Sequence, residues 1–145
     1  MGEADPTAIE RLAVTASDLV AALETNRTTG RTAVLRVTPP FSGRMRARLH
    51  VEGEENYDEP RPVHVPPRAL VADDAPAYPR PAETEDAIRA DPDVEYTVER
   101  HRARHEEAVE AWRRELLEAV RAEATIETPA GSVTVAVSLL GDAPE

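Results

Sequence analysis

The chain has 145 residues, enough for one domain with a core of its own. It carries 28 acidic against 17 basic residues, a formal net charge of −11, and every basic residue is arginine. The absence of cysteine excludes disulfides, thiolate zinc sites and cysteine nucleophiles, while the lack of a membrane-length apolar run and the polar opening Gly2-Glu3-Ala4-Asp5-Pro6 point to a cytoplasmic protein without a membrane partner.

Asp5-Pro6 reads as an N-cap followed by proline at the first helical position. Ile9, Leu12, Ala16, Leu19, Val20 and Leu23 recur at helical spacing and predict a helix over 6–25, stopped by Asn26 through Gly30. A hairpin comes next. Ala33, Leu35 and Val37 alternate with Thr32, Val34, Arg36 and Thr38, and beyond Pro39-Pro40-Phe41-Ser42-Gly43 the alternation resumes. Met45, Ala47, Leu49 and Val51 point one way there, and Arg44, Arg46, Arg48 and His50 the other. Pairing Arg36 with Arg46 makes one face apolar throughout and the other largely basic.

Glu52, Glu54, Glu55, Asp58 and Glu59 form an acidic turn, and Arg61 to Val65 reads as a short edge strand because Pro62 argues against a central position. The proline-rich stretch 60–82 is expected to lie extended over the domain. Within it, Pro76-Ala77-Tyr78-Pro79 has the character of a proline ligand, but stiffening of a wrapping segment is the more ordinary role. Thr84 through Arg89 predicts a short helix stopped at Asp91-Pro92. The longest helix starts at the N-cap Thr97 and runs to about Ala122, with the stripe Val98, His101, His105, Val109, Trp112, Leu116 and Val120. Trp112 is expected to anchor the core, with a small-molecule pocket against it as the lesser role. A second hairpin is expected over Ala124–Glu127 and Val133–Leu139 about Pro129-Ala130-Gly131, and a frayed tail is expected over 141–145. The expected fold is α+β. A mainly antiparallel sheet of about five strands carries the N-terminal helix and the long helix of the C-terminal half on one face, as a single domain over 1–145.

An acidic, lysine-free, alanine-rich and aromatic-poor chain resembles the uncharacterised proteins of halophilic archaea. Carboxylates there hold water and cations in concentrated salt. The resemblance implies no activity and no functional residue.

The island 31–50 contains five arginines and no acid. Arg36, Arg44, Arg46, Arg48 and His50 are the candidate binding residues, because guanidinium forks match carboxylate and phosphate oxygens. Phe41 is the candidate tip anchor, a wedge at the head of a basic β-arm. High salt weakens long-range attraction to nucleic acid, and no aromatics interleave the arginines as a stacking platform. An acidic protein partner or a second copy of the chain is therefore preferred to nucleic acid.

His101 and His105 share one helical face at a spacing able to chelate a divalent transition metal, and His50 and His64 are candidates to complete such a site. Val109 stands where a metalloprotease helix would need histidine, and half-buried packing of the two helical histidines is the plainer role. No serine has a nucleophile elbow and no glycine loop cradles phosphate. The expectation is a non-enzymatic binding domain without a cofactor. Its alternative is a histidine-based metal-binding protein.

Overall fold

The computed structural model describes residues 5–53 and 61–141. Glu54, Glu55, Asp58 and Glu59 of the expected acidic turn lie outside the described residues, as does the tail beyond Gly141. The chain divides into two compact units, one formed by the residues up to Asp73 and from Val120 onward, the other by Asp74–Ala119.

The first unit begins with a 3-10 turn, Pro6–Ala8, capped by Asp5. The Thr7 hydroxyl and then its amide donate to the Asp5 carboxylate and hold its pKa below the ordinary value. The expected helix over 6–25 is corrected here. Arg11–Thr15 is a strand, β1, and the helix α1 spans Ala16–Thr28. Leu12 and Val14 are both fully buried, a spacing of two that belongs to a strand. Ile9, Leu12, Ala16 and Leu19 match a helical period only when Val14 is passed over. The helix is capped by Thr15, whose hydroxyl accepts from the Asp18 amide at 3.1 Å. At its far end the Asn26 side chain brackets the backbone of Ala33, donating to its carbonyl at 3.1 Å and accepting from its amide at 2.6 Å.

The other strands of this unit are β2 (Ala33–Val37), β3 (Arg44–Arg46), β4 (Arg48–Val51), β5 (Val63–Val65), β6 (Glu123–Thr128) and β7 (Gly131–Leu140). The fold is α+β, but the expected single sheet of about five strands is replaced by two sheets among the described residues. One has the order β3-β1-β7-β6 and the other β4-β2-β5. The four-stranded sheet is mixed, since β1 runs parallel to both β3 and β7. The three-stranded sheet is antiparallel, and β5 lies at its edge as the proline pattern predicts. β6 and β7 form the expected hairpin about Pro129-Ala130, and Gly131 takes a φ of 117°, a region that favours glycine.

Leu12, Val14, Val135, Ala124 and Ile126 are buried from the first sheet, and Ala33, Leu35, Val37, Val63 and Val65 from the second. The helix α1 packs on β2 and β4 and buries Leu19 and Ala22.

The second unit contains α2 (Pro81–Ala90) and α3 (Val98–Leu117), which pack on each other. Thr97 caps α3 through a bond from the Arg100 amide at 3.0 Å, as the sequence predicts. The helix stops at Leu117, short of Ala122. Just beyond it, in the first unit, Val120 bridges to Val71 and the Arg121 amide donates to the Leu70 carbonyl at 2.8 Å. Val98 is 62% exposed, so the apolar stripe starts later than the periodicity suggests.

Leu35 is fully buried in the central strand of the small sheet. Leu35→Ala should destabilise the protein by about 2–5 kcal/mol in urea denaturation. Thr15→Ala removes the cap of α1 and should cost about 1 kcal/mol by the same measurement, with the strand pairing intact.

Candidate functional site

The run 44–51 is shared between the two sheets. Arg44–Arg46 pairs with β1, and Arg48–Val51 pairs with β2. The change of partner falls at Ala47, which is fully buried and whose amide donates to the Ala13 carbonyl at 2.8 Å. This corrects the expected pairing of Arg36 with Arg46, because Arg36 lies opposite Arg48 and Leu35 opposite Leu49. A shift of two residues keeps every side chain on its face, so alternation alone cannot separate the two registers.

The even positions of the run therefore still point away from the core. Arg44, Arg46 and Arg48 are exposed and His50 is half-buried. The register sets Arg44 beside Arg11 and Arg48 beside Arg36. Neighbouring strands lie about 4.8 Å apart, and like charges directly opposite each other are destabilising. Arg11 donates to the Ser138 hydroxyl at 2.7 Å. Among the described residues, Arg44, Arg46 and Arg48 make no ion pair. Elsewhere Arg80, Arg89, Arg113 and Arg121 pair with Glu83, Glu85, Glu110 and Asp73 of the same chain.

Arg36 does not simply back this ridge. It lies between two imidazoles, with Nη2 2.9 Å from His50 Nε2 and Nε donating to His64 Nε2 at 3.4 Å. The two rings are 5.3 Å apart at their centroids, and His64 Nδ1 is 3.7 Å from a Glu52 carboxylate oxygen. Phe41 is only 6% exposed and packs in the interior, which removes it as an exposed tip anchor.

Sequence alternation thus locates Arg44, Arg46, Arg48 and His50. It misses Arg11, which the expected first helix assigned to another element. The signal was present in Arg11-Leu12-Ala13-Val14, whose alternation matches a strand. The role of Glu52 as the carboxylate facing His64 was likewise hidden within a run of acids.

The helical histidines sit in the second unit, engaged with α2. His101 Nε2 is 2.9 Å from the Pro81 carbonyl, and His105 Nδ1 is 3.0 Å from the Thr84 hydroxyl. Their rings stack at 6.0 Å. Among the described residues, no group of three or more histidine, aspartate or glutamate side chains is arranged to hold a metal ion. An open cleft beside α2 and α3 is lined by Pro79, Glu83, Thr84, Ile88, Arg104 and Ala108, and Trp112 is not part of it.

Trp112 is buried instead by its own unit's proline segment. Its indole N–H donates to the Pro76 carbonyl at 3.0 Å, and the Tyr78 ring meets it edge-on at 4.8 Å. The T-shaped contact suits the quadrupoles of the two rings. Trp112→Phe deletes the hydrogen bond and should destabilise the protein by about 0.5–1.5 kcal/mol, read by far-ultraviolet circular dichroism during urea unfolding.

Among the described residues no helix is long and apolar enough to cross a membrane. No curated protein and no solved structure matches the chain. Residues 1–141 match the family model described as "Domain of unknown function (DUF8009)", and the chain belongs to that family.

Proposed function

We propose that the protein is a non-enzymatic binding module that engages an acidic protein partner through the arginine ridge Arg44, Arg46 and Arg48, with Arg11 beside it. The observation that carries this is the pair of arginine–arginine neighbours, Arg11 with Arg44 and Arg36 with Arg48, laid side by side in a chain with an excess of acids. Such pairs are unfavourable when alone. Carboxylates of a partner relieve them, and arginine accepts a carboxylate in a two-point fork. A partner that covers the ridge also lowers the local dielectric, which strengthens each contact beyond the value of an exposed pair, about 0–1 kcal/mol.

An acidic protein is favoured over nucleic acid on two grounds. Phe41 is buried, so no apolar wedge accompanies the arginines. The ridge also carries no aromatic side chain on which a base could stack. The acid excess and the absence of lysine fit a cytoplasmic protein of a halophilic archaeon. Near 1 M salt the Debye length is about 3 Å. Under those conditions the net charge of −11 no longer repels an acidic partner at a distance, and only contact pairs count.

The test uses fluorescence anisotropy with a labelled glutamate-rich peptide and, in parallel, single- and double-stranded oligonucleotides of similar charge. The peptide should bind, and the variant carrying Arg44→Ser, Arg46→Ser and Arg48→Ser should weaken it by about ten-fold or more while circular dichroism stays unchanged. Tighter binding of either oligonucleotide, or equal peptide binding by the variant, overturns the assignment. Concentration-dependent self-association lost in the variant would replace the acidic partner with a second copy of the chain.

A further inference from the structure

Each residue of a strand turns its backbone N–H and C=O toward one neighbour or the other, and every such group needs a partner or water. The Gly43 carbonyl accepts the Arg11 amide at 2.8 Å, and the Ala47 amide donates to the Ala13 carbonyl at 2.8 Å. Gly43, Met45 and Ala47 therefore face β1. Arg44 and Arg46 turn their backbone groups the opposite way, and β3 is the last strand of its sheet on that side. The Ser42 hydroxyl donates to the Arg44 carbonyl at 3.0 Å. Among the described residues, the Arg44 amide and both backbone groups of Arg46 have no protein partner.

The neighbouring edges of this unit are occupied. On β4 the Leu49 amide donates to the Asp18 carboxylate at 3.1 Å. At the far end of the four-stranded sheet, β6 is flanked by the 3-10 turn Pro67–Leu70, across a cleft lined by Arg68, Glu123 and Thr125. The edge of β3 differs in charge as well. Its two outward-facing residues are both exposed arginines without an ion pair among the described residues, and the half-buried Met45 lies on the opposite face between them. A second copy that presented its own β3 would set arginine against arginine, which is unfavourable. A strand with carboxylates at every second residue meets the opposite situation.

We infer that the acidic partner docks by adding an extended strand of its own to the edge of β3. Its backbone bonds to the N–H and C=O groups of Arg44 and Arg46, and its alternate carboxylates lie beside the two guanidinium groups. Residues opposite Arg44 and Arg46 are two apart in either strand direction, so the recognised pattern is acid, apolar, acid, with the apolar side chain on the Met45 face. This inference rests on the acidic-partner reading and specifies the form of the ligand.

The probe is a labelled peptide of alternating glutamate and valine, about seven residues long. Its binding to the unaltered full-length protein is followed by fluorescence anisotropy at constant ionic strength. Two further versions are N-methylated, one at the glutamate amides and the other at the valine amides. Methylation removes donors without changing charge, and only one of the two sets faces β3. One version should therefore bind about ten-fold weaker or worse while the other stays within about two-fold. A peptide of the same composition with its glutamates clustered should bind about five-fold weaker. On the protein, Arg46→Pro removes an outward N–H that β1 does not use, and should cost more affinity than Arg46→Ala.

Equal effects of the two methylation patterns, whether both weaken binding or neither does, overturn strand addition while leaving the acidic-partner reading in place. So does a clustered peptide that binds as tightly as the alternating one. Failure of every peptide to bind overturns that reading and this inference with it. Dimers of the free protein that the peptide dissociates would assign the edge to a second copy and also overturn the inference. The methylation comparison uses the unaltered protein, so a proline variant that fails to fold leaves the outcome decided.

Discussion

The Ala47 amide reaches the Ala13 carbonyl at 2.8 Å, and one residue later the same strand is paired with β2 instead of β1. That handover joins the two sheets of the first unit. It works because Ala47 is small and fully buried, so the backbones can approach closely where a strand changes partners. The alternation of the strand continues through the handover. Arg44, Arg46, Arg48 and His50 therefore stay on the side away from the core although they belong to different sheets.

The handover also decides which charges become neighbours. Through β1 it brings Arg11 beside Arg44, and through β2 it brings Arg36 beside Arg48. Two environments result from one strand. On the four-stranded sheet Arg44 and Arg46 stand exposed, without an ion pair among the described residues. On the three-stranded sheet Arg36 is gathered between two histidines and approached by Glu52 through His64. The proposed binding of an acidic partner rests on the first environment.

Stability comes from elsewhere. The fully buried Leu12, Val14, Leu19, Leu35, Val37 and Ile126 carry the apolar burial of the first unit. In the second, Trp112 is held by Pro76 and Tyr78. Fully burying one such side chain contributes about 1.5–3 kcal/mol, whereas exposed ion pairs contribute about 0–1 kcal/mol. The surface arginines are thus separable from the folding core.

Much of this was legible from the amino-acid order alone. Strand alternation in 33–37, 44–51 and 131–140, the caps at Asp5 and Thr97, the Pro129-Ala130 turn and the outward arginine row all arise from local periods and side-chain chemistry. The α+β class arises from them too. Other features were decided only by tertiary structure, because they depend on contacts between residues distant along the chain. A register shifted by two leaves every face unchanged, so only β1 could show that Arg44–Arg46 had left the hairpin. β1 itself was concealed by apolar residues that satisfy a helical count as well as a strand count. Phe41 reads as a tip residue in a loop, but the packed fold covers it. Arg36, His50 and His64 come together because β2 pairs with β4 on one side and with β5 on the other, a pairing that no local period encodes.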